Sequence, residues 1–260
     1  MSKTPPPYVE GHGLLAGKTV LVTAAAGKGI GFAAAKKCIE EGARVMISDI
    51  HERRLAEAAE SLEKVSGDRV PARLCNVAQE EDVQGLIQSA ISELGQLDVL
   101  INNAGLGGTA NVVDMTDEQW HKVLDITLTG TFRMTRAVLP HMMERKSGVI
   151  VNNASVLGWR AQVGQAHYAA AKAGVMALTR CSALEAAEYG VRINAVSPSF
   201  AIHPFLVKTT PQETLDQLEA QEAFGRGAQP FEVANVMVFL ASDYSSYMTG
   251  ETIAVSSQRA

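Results

Sequence analysis

Short apolar runs rich in Val, Ile and Leu alternate along the chain with longer segments whose apolar positions return every three or four residues. Runs of the first kind read as buried strands, segments of the second kind as amphipathic helices. The pattern predicts strands over 18–24, 43–49, 70–75, 97–101, 149–154, 191–195 and 252–255. It predicts helices over 30–41, 51–65, 80–94, 116–144, 166–188 and 230–241, with Gly42 and Gly95 as stop signals. Strands and helices alternating at this spacing build right-handed crossovers. The expected fold is therefore α/β: a doubly wound parallel sheet with helices on both faces. No linker or internal repeat divides 15–260, which is read as one domain. Residues 1–14, with Pro5, Pro6 and Pro7, read as a flexible tail, disordered or wrapped on a neighbour. The less regular stretch 199–225 reads as a substrate loop, with a helical segment over 210–223 acting as a lid.

Composition narrows the partners. The 260 residues are 47% hydrophobic and 20% charged, an ordinary globular mixture with room for a substantial core. A net charge of −5 argues against nucleic acid or an anionic membrane as the main partner. Cys38, Cys75 and Cys181 are scattered, with neither a disulfide framework nor metal-ligand spacing, so no metal is expected. Without a membrane-length apolar run or a signal-peptide core, the expected location is cytoplasmic.

Two stretches carry candidate chemistry. In the first, the strand ending at Thr23 leads through Ala24-Ala25-Ala26-Gly27-Lys28-Gly29-Ile30-Gly31 into a helix. Glycines there let backbone N–H groups and a helix N-terminus approach a pyrophosphate, although such turns also serve as packing devices. Asp49 closes the next strand, where a carboxylate can accept from an adenosine ribose hydroxyl, or simply cap the next helix. In the second stretch, Tyr168 and Lys172 lie four apart in an Ala-rich helix and share one face. A free phenol has a pKa of roughly 10. An ammonium one turn away favours the phenolate, and a hydroxyl from Ser155 could hold a substrate oxygen against Tyr168. Taken alone, the Tyr168–Lys172 spacing more often marks a surface helix pair, and it gains meaning only from what stands before it.

Asn102-Asn103-Ala104-Gly105 after the fourth strand adds a specific signal. With the 23–31 turn, Ser155, Tyr168, Lys172, the run Arg192-Ile193-Asn194-Ala195-Val196-Ser197-Pro198 and the pair Thr249-Gly250, it makes the chain resemble the short-chain dehydrogenase/reductase family. The likeness is to the 3-oxoacyl-carrier-protein-reductase-like branch and runs over about 15–255. It implies a Rossmann-type fold, a homotetramer packed through the helices over 120–143 and 166–188, and a nicotinamide cofactor. It also implies roles. Tyr168 would be the acid/base, Ser155 would orient the substrate oxygen, and Lys172 would hold the nicotinamide ribose and depress the Tyr168 pKa. Ala24, Gly27, Lys28, Gly29 and Ile30 would meet the pyrophosphate, with Asp49 and Ile50 at the adenosine ribose. Asn76 and Val77 would flank the adenine, and Asn103, Ala104 and Gly105 would line the ribose. Pro198, Ser199, Ala201 and His203 would lie by the nicotinamide carboxamide.

The chain departs from the family pattern in informative places. Ala24 stands where the family has Gly, so Gly27 is expected to supply the permissive bend. Thr127 stands where the family has an Asn that holds a water near the lysine, making Thr127 a candidate fourth catalytic member. His203 replaces a Thr and is read three ways: on the carboxamide, facing substrate, or a plain loop residue. Asp49 favours NAD(H) and Lys28 favours NADP(H). A close, partly buried carboxylate repelling a 2′-phosphate should outweigh one hydrated lysine, so NAD(H) is preferred. Leu106, Trp159, Gln162, Phe200 and Phe205 are expected to form an apolar pocket for a small-molecule ring or acyl-thioester alcohol. The turn also looks like that of actinobacterial reductases of steroid-ring catabolism. The expected activity is hydride transfer between a secondary alcohol or ketone and the cofactor. The alternatives are a fatty-acid-type 3-oxoacyl reductase using NADPH and a weakly catalytic dinucleotide-binding scaffold.

Overall fold

The computed structural model describes residues 4–257, without the side chains of Pro204, Phe205 and Thr209. Its seven strands are β1 (Thr19–Val22), β2 (Arg44–Asp49), β3 (Ala72–Leu74), β4 (Val99–Asn102), β5 (Gly148–Asn153), β6 (Val191–Pro198) and β7 (Thr252–Val255). They form one parallel sheet in the order β3-β2-β1-β4-β5-β6-β7, the Rossmann-type arrangement. The inner strands are buried along their length because helices cover both faces. Side chains alternate with period two. Val20, Val22, Val45, Ile47, Val99 and Ile101 face one apolar layer with helices α1 (Ile30–Glu40), α2 (Glu52–Ser66) and α9 (Pro230–Ala241). Leu21, Met46 and Leu100 face the other, with α3 (Glu80–Leu94), α5 (Gly130–Arg145) and α6 (Ala166–Ala187). Strand order reverses between β1 and β4, where doubly wound sheets open a crevice at their carboxyl edge.

Several elements differ from the sequence expectation. The helix expected over 116–144 is built as α4 (Asp117–Leu124) and α5 joined by one π turn, Asp125–Thr129. β3 is a short exposed edge strand, and β6 continues to Pro198, which pairs with Val255 at the strand end. The 199–225 stretch contains two helices, α7 (Pro204–Thr209) and α8 (Gln212–Gln221). From Tyr8 onward, the Pro-rich N-terminal segment lies against α1 and α9. Lys37 Nζ donates to Val9 O at 2.6 Å, and the buried Glu41 carboxylate accepts from His12 N and Leu14 N. The Tyr8 ring meets Phe231 edge-on at 5.1 Å.

The turn after β1 corrects one expectation. Gly27 is left-handed at φ 92°, but so is Ala24 at φ 50°, and the bend is shared. A Cβ in that conformation crowds its own backbone, at a cost of about 1–2 kcal/mol. Tertiary hydrogen bonds impose it: Ala25 N donates to Ser48 O at 3.0 Å, and Asn103 Nδ2 donates to Thr23 O at 3.2 Å and Ala24 O at 3.0 Å. Gly31 must stay without a side chain, because a Cβ there would collide with Ala24 O and Asn103. Ala24→Gly should relieve the strain, offset by the greater freedom of Gly in the unfolded chain. The expected net is a stabilisation of up to about 1 kcal/mol, read as a higher urea midpoint. A lower midpoint would show that the strain at Ala24 is smaller than the cost of Gly's freedom in the unfolded chain.

Candidate active site

The carboxyl ends of β4 and β5 carry two asparagine doublets, and alternation sends one member of each to each face. Asn102 and Asn152 are register partners: Asn102 Nδ2 donates to Asn152 Oδ1 at 3.0 Å, and Asn152 Nδ2 to Thr179 Oγ1 at 2.9 Å on α6. On the other face Asn153 Nδ2 donates to Asn103 Oδ1 at 2.9 Å. Thr23 Oγ1 accepts from both Asn103 N and Ala104 N, joining the end of β1 to the same network.

Just past β5, Ser155 caps a single 3₁₀ turn, Val156–Gly158, its Oγ accepting from Leu157 N at 3.2 Å. Tyr168 and Lys172 project from the first turns of α6. The Tyr168 hydroxyl faces Ser155 across the same cleft wall, close enough for Ser155 to favour its ionised form. Lys172 is buried, donates to Asn153 O, and stands 5.5 Å from the centroid of the Tyr168 ring. The three candidate catalytic groups therefore meet.

Their electrostatics differ from the sequence expectation. Burial pushes the Tyr168 phenol above its ordinary range, and Ser155 acts the other way without reversing it. The neighbouring Lys172 ammonium does not reverse that rise, and burial lowers its own pKa to about 8. Tyr168 is thus a neutral acid at physiological pH beside a cation held close to losing its charge.

Thr127 sits fully buried in the π turn. Its hydroxyl accepts from Leu106 N at 2.9 Å and donates to Leu106 O at 3.0 Å, clasping the loop after β4. A Cβ on Gly105 would stand 3.5 Å from Lys172 Nζ and 3.7 Å from Thr127 Oγ1, so loop, lysine and threonine converge there.

A cleft of about 310 Å³ opens on this cluster. Ser155, Tyr168, Gln162, Phe200 and His203 line it, with Leu206 and Leu218 from α7 and α8. Pro198, Ser199 and Ala201 form its floor beside Ile30 and Asn153. Leu106 and Trp159 are not among its walls: the Leu106 backbone is clasped by Thr127, and Trp159, just past the 3₁₀ turn, is half exposed. Phe205 lies outside the described side chains. His203 Nδ1 accepts from Leu206 N at 3.3 Å, capping α7, and burial lowers its pKa. A larger hollow of about 680 Å³ at the opposite end of the strands holds Arg44 and an Arg69–Glu93 pair; Arg44 is engaged by the carbonyls of Glu93 and Leu94.

The remaining expected cofactor residues surround the β1 turn. Cβ atoms on Gly27 or Gly29 would meet open space, and no side chain caps the N-terminus of α1, so its first amides are available to an anion. Lys28 is exposed beside them, as is Ile50 beside Asp49. Asp49 accepts from Ala26 N at 3.1 Å and His51 N at 3.0 Å. Burial raises its pKa against the opposing Ala26 amide and Arg54. The Asn76 side chain accepts from Ala78 N, shaping its own turn, and Val77 is buried under Gly130. A glycine-opened helix end, a strand-end carboxylate and a polar floor leading to Lys172 fit a nicotinamide dinucleotide. Sequence reading missed Asn153. The signal was there in the Asn152-Asn153 doublet, which repeats Asn102-Asn103 at the end of the neighbouring strand.

Comparisons agree with this geometry. The sequence model of a family described as "Enoyl-(Acyl carrier protein) reductase" matches residues 24–257. A Mycobacterium tuberculosis protein named (5R,7aS)-5-hydroxy-7a-methyl-1-oxo-2,3,5,6,7,7a-hexahydro-1H-indene-carboxyl-CoA reductase is 62% identical over 254 residues, 97% of each chain. A 3-oxoacyl-[acyl-carrier-protein] reductase of Thermotoga maritima is 38% identical over 93% of this chain and 97% of its own. The crystal structure of a short chain dehydrogenase from Mycobacterium smegmatis superposes with a TM-score of 0.88 at 57% identity, covering 99% of both chains. With its sheet order, its Ser155–Tyr168–Lys172 cluster and these likenesses along nearly its whole length, the chain belongs to the short-chain dehydrogenase/reductase family.

Proposed function

We propose that this protein, an oxidoreductase acting on CH–OH and ketone groups with a nicotinamide cofactor, takes a fused-ring secondary alcohol or ketone carried as a CoA thioester, with NAD(H) as its partner. The meeting of Ser155 and Tyr168 at the wall of one cleft, with Lys172 buried beside the Tyr168 ring, carries the reading. The 62% identical relative, named for a bicyclic CoA-ester reductase, supports the substrate class, as do the apolar walls from Phe200, Leu206 and Leu218. The glycine-rich turn, Asp49 and Lys172 would hold the dinucleotide, which supplies or accepts the hydride. In the reducing direction Tyr168 donates its proton to the carbonyl oxygen while Ser155 holds that oxygen in place. Burial keeps the phenol protonated and ready, and the Lys172 ammonium favours the phenolate left behind. Thr127 serves by holding the Leu106 backbone at the edge of this site.

Asp49 supports NAD(H). With two amides bound, its carboxylate keeps acceptor capacity for a ribose hydroxyl and would repel a 2′-phosphate. A reducing, cytoplasmic setting suits the three unpaired thiols. Exposed Phe132 on α5 and Leu184 on α6 support helix packing between copies in a homotetramer.

Tyr168→Phe should lower ketone reduction by about 10²-fold or more and leave dinucleotide binding within about twofold. In the wild type, reduction should fall as pH rises through about 8, where Lys172 loses its charge. Unchanged turnover in the variant sinks the acid/base assignment. Fluorescence titration should show NADH binding about tenfold tighter than NADPH; the reverse order would favour a fatty-acid-type 3-oxoacyl reductase. Light scattering should give four copies, and a monomer at micromolar concentration would refute the assembly.

A further inference from the structure

The hydrogen bonds around Asn153 fix the orientation of two amides. Asn103 Nδ2 is committed to the carbonyls of Thr23 and Ala24, so Asn103 must present Oδ1 to Asn153. Asn153 answers with Nδ2 at 2.9 Å, which turns its own Oδ1 away. That oxygen is buried and has no hydrogen-bond partner among the described residues, while Asn153 lines the cleft beside Ile30 and Ser155. The main-chain carbonyl of the same residue receives the Lys172 ammonium. One residue therefore touches both ends of the site.

We propose that Asn153 is a positioning residue for the dinucleotide: its side-chain amide, acting through Asn103, holds the left-handed turn at Ala24 in the shape that receives the pyrophosphate, while its main-chain carbonyl anchors Lys172. The physical need is specific to this chain. Gly would adopt φ 50° freely, but Ala24 does so under strain, and a strained conformation persists only where its surroundings over-determine it. The Asn153–Asn103 pair supplies that restraint from inside the protein, at the strand end, where it does not compete with ligand for the free amides of α1. A half-satisfied buried amide is also a costly filler, which argues for a role beyond packing.

This inference rests on the dinucleotide reading of the turn, and a double-mutant cycle read in dinucleotide affinity separates the two. Asn153→Val keeps the main-chain carbonyl and removes the amide; Asn153→Ser serves if that variant does not fold, as checked by circular dichroism. NADH and NADPH are each titrated against wild type, Asn153→Val, Ala24→Gly and the double variant. The affinity of whichever nucleotide binds should fall about fivefold to tenfold on Asn153→Val in the wild-type background, the factor worth one intramolecular hydrogen bond. In the Ala24→Gly background, where the turn needs no restraint, the loss should shrink to about twofold or less. Equal losses in both backgrounds, or no loss in either, overturn the role of Asn153 and leave the dinucleotide reading standing. A wild type that binds neither nucleotide overturns both.

Discussion

A parallel sheet covered on both faces shields the polar groups at its strand ends from water except where the crevice opens, so most of those the site needs there must be satisfied within the protein. In this molecule that constraint falls on the four asparagines ending β4 and β5. On one face Asn102 and Asn152 tie β4 to β5 and to α6; on the other Asn103 and Asn153 tie the same strand ends to β1. Buried amides on this scale are destabilising unless every arm finds a partner. The arms that do find partners fix Ser155, Tyr168 and Lys172 relative to the glycine-rich turn. Precision at the site is thus a by-product of meeting the hydrogen-bonding needs of the sheet edge.

The same burial sets the chemistry. A phenol largely shielded from water at the cleft wall holds its proton, and a buried ammonium gives its proton up more readily, so the environment moves the two groups in opposite directions on the pH scale. An acid near an easily discharged cation is poised for transfer in a way that neither residue would be on a solvated helix. Ser155 links the pair to the cleft, and Thr127, clasped to Leu106, keeps the loop over Lys172 from wandering.

Much of this was legible in the sequence, and the gaps have physical causes. The helix Pro230–Ala241 and the strand Thr252–Val255 stand where apolar periodicity placed them, since their pattern and their proline and polar boundaries agree. The Tyr168–Lys172 spacing fixed a shared helical face. The Ala24 conformation was missed because propensity argues against it, and only tertiary hydrogen bonds, from Asn103 and to Ser48, impose it. The π turn was missed because an extra residue in a helix leaves the periodicity of so short a segment unchanged to the eye, whereas Thr127 bonding to Leu106 is a tertiary event. Position just after Ser155 does not settle where Trp159 points, because its direction depends on the Ser155-capped turn before it. The Tyr168 shift was misjudged because spacing reports proximity of a charge and says nothing of desolvation.

The N-terminal segment gives α1 an anchor at the end far from its glycine-rich turn. Lys37 and Glu41, both buried, form an ion pair at 3.4 Å and bind the backbone of residues 9–14, while the turn itself is held by Asn103 at the opposite end. A helix fixed at both ends cannot tilt or slide to meet a ligand. An anion reaching its first amides would find them already aimed, so little ordering entropy remains to be lost on binding. In this chain, the affinity of one end of a helix is secured by a strap at the other.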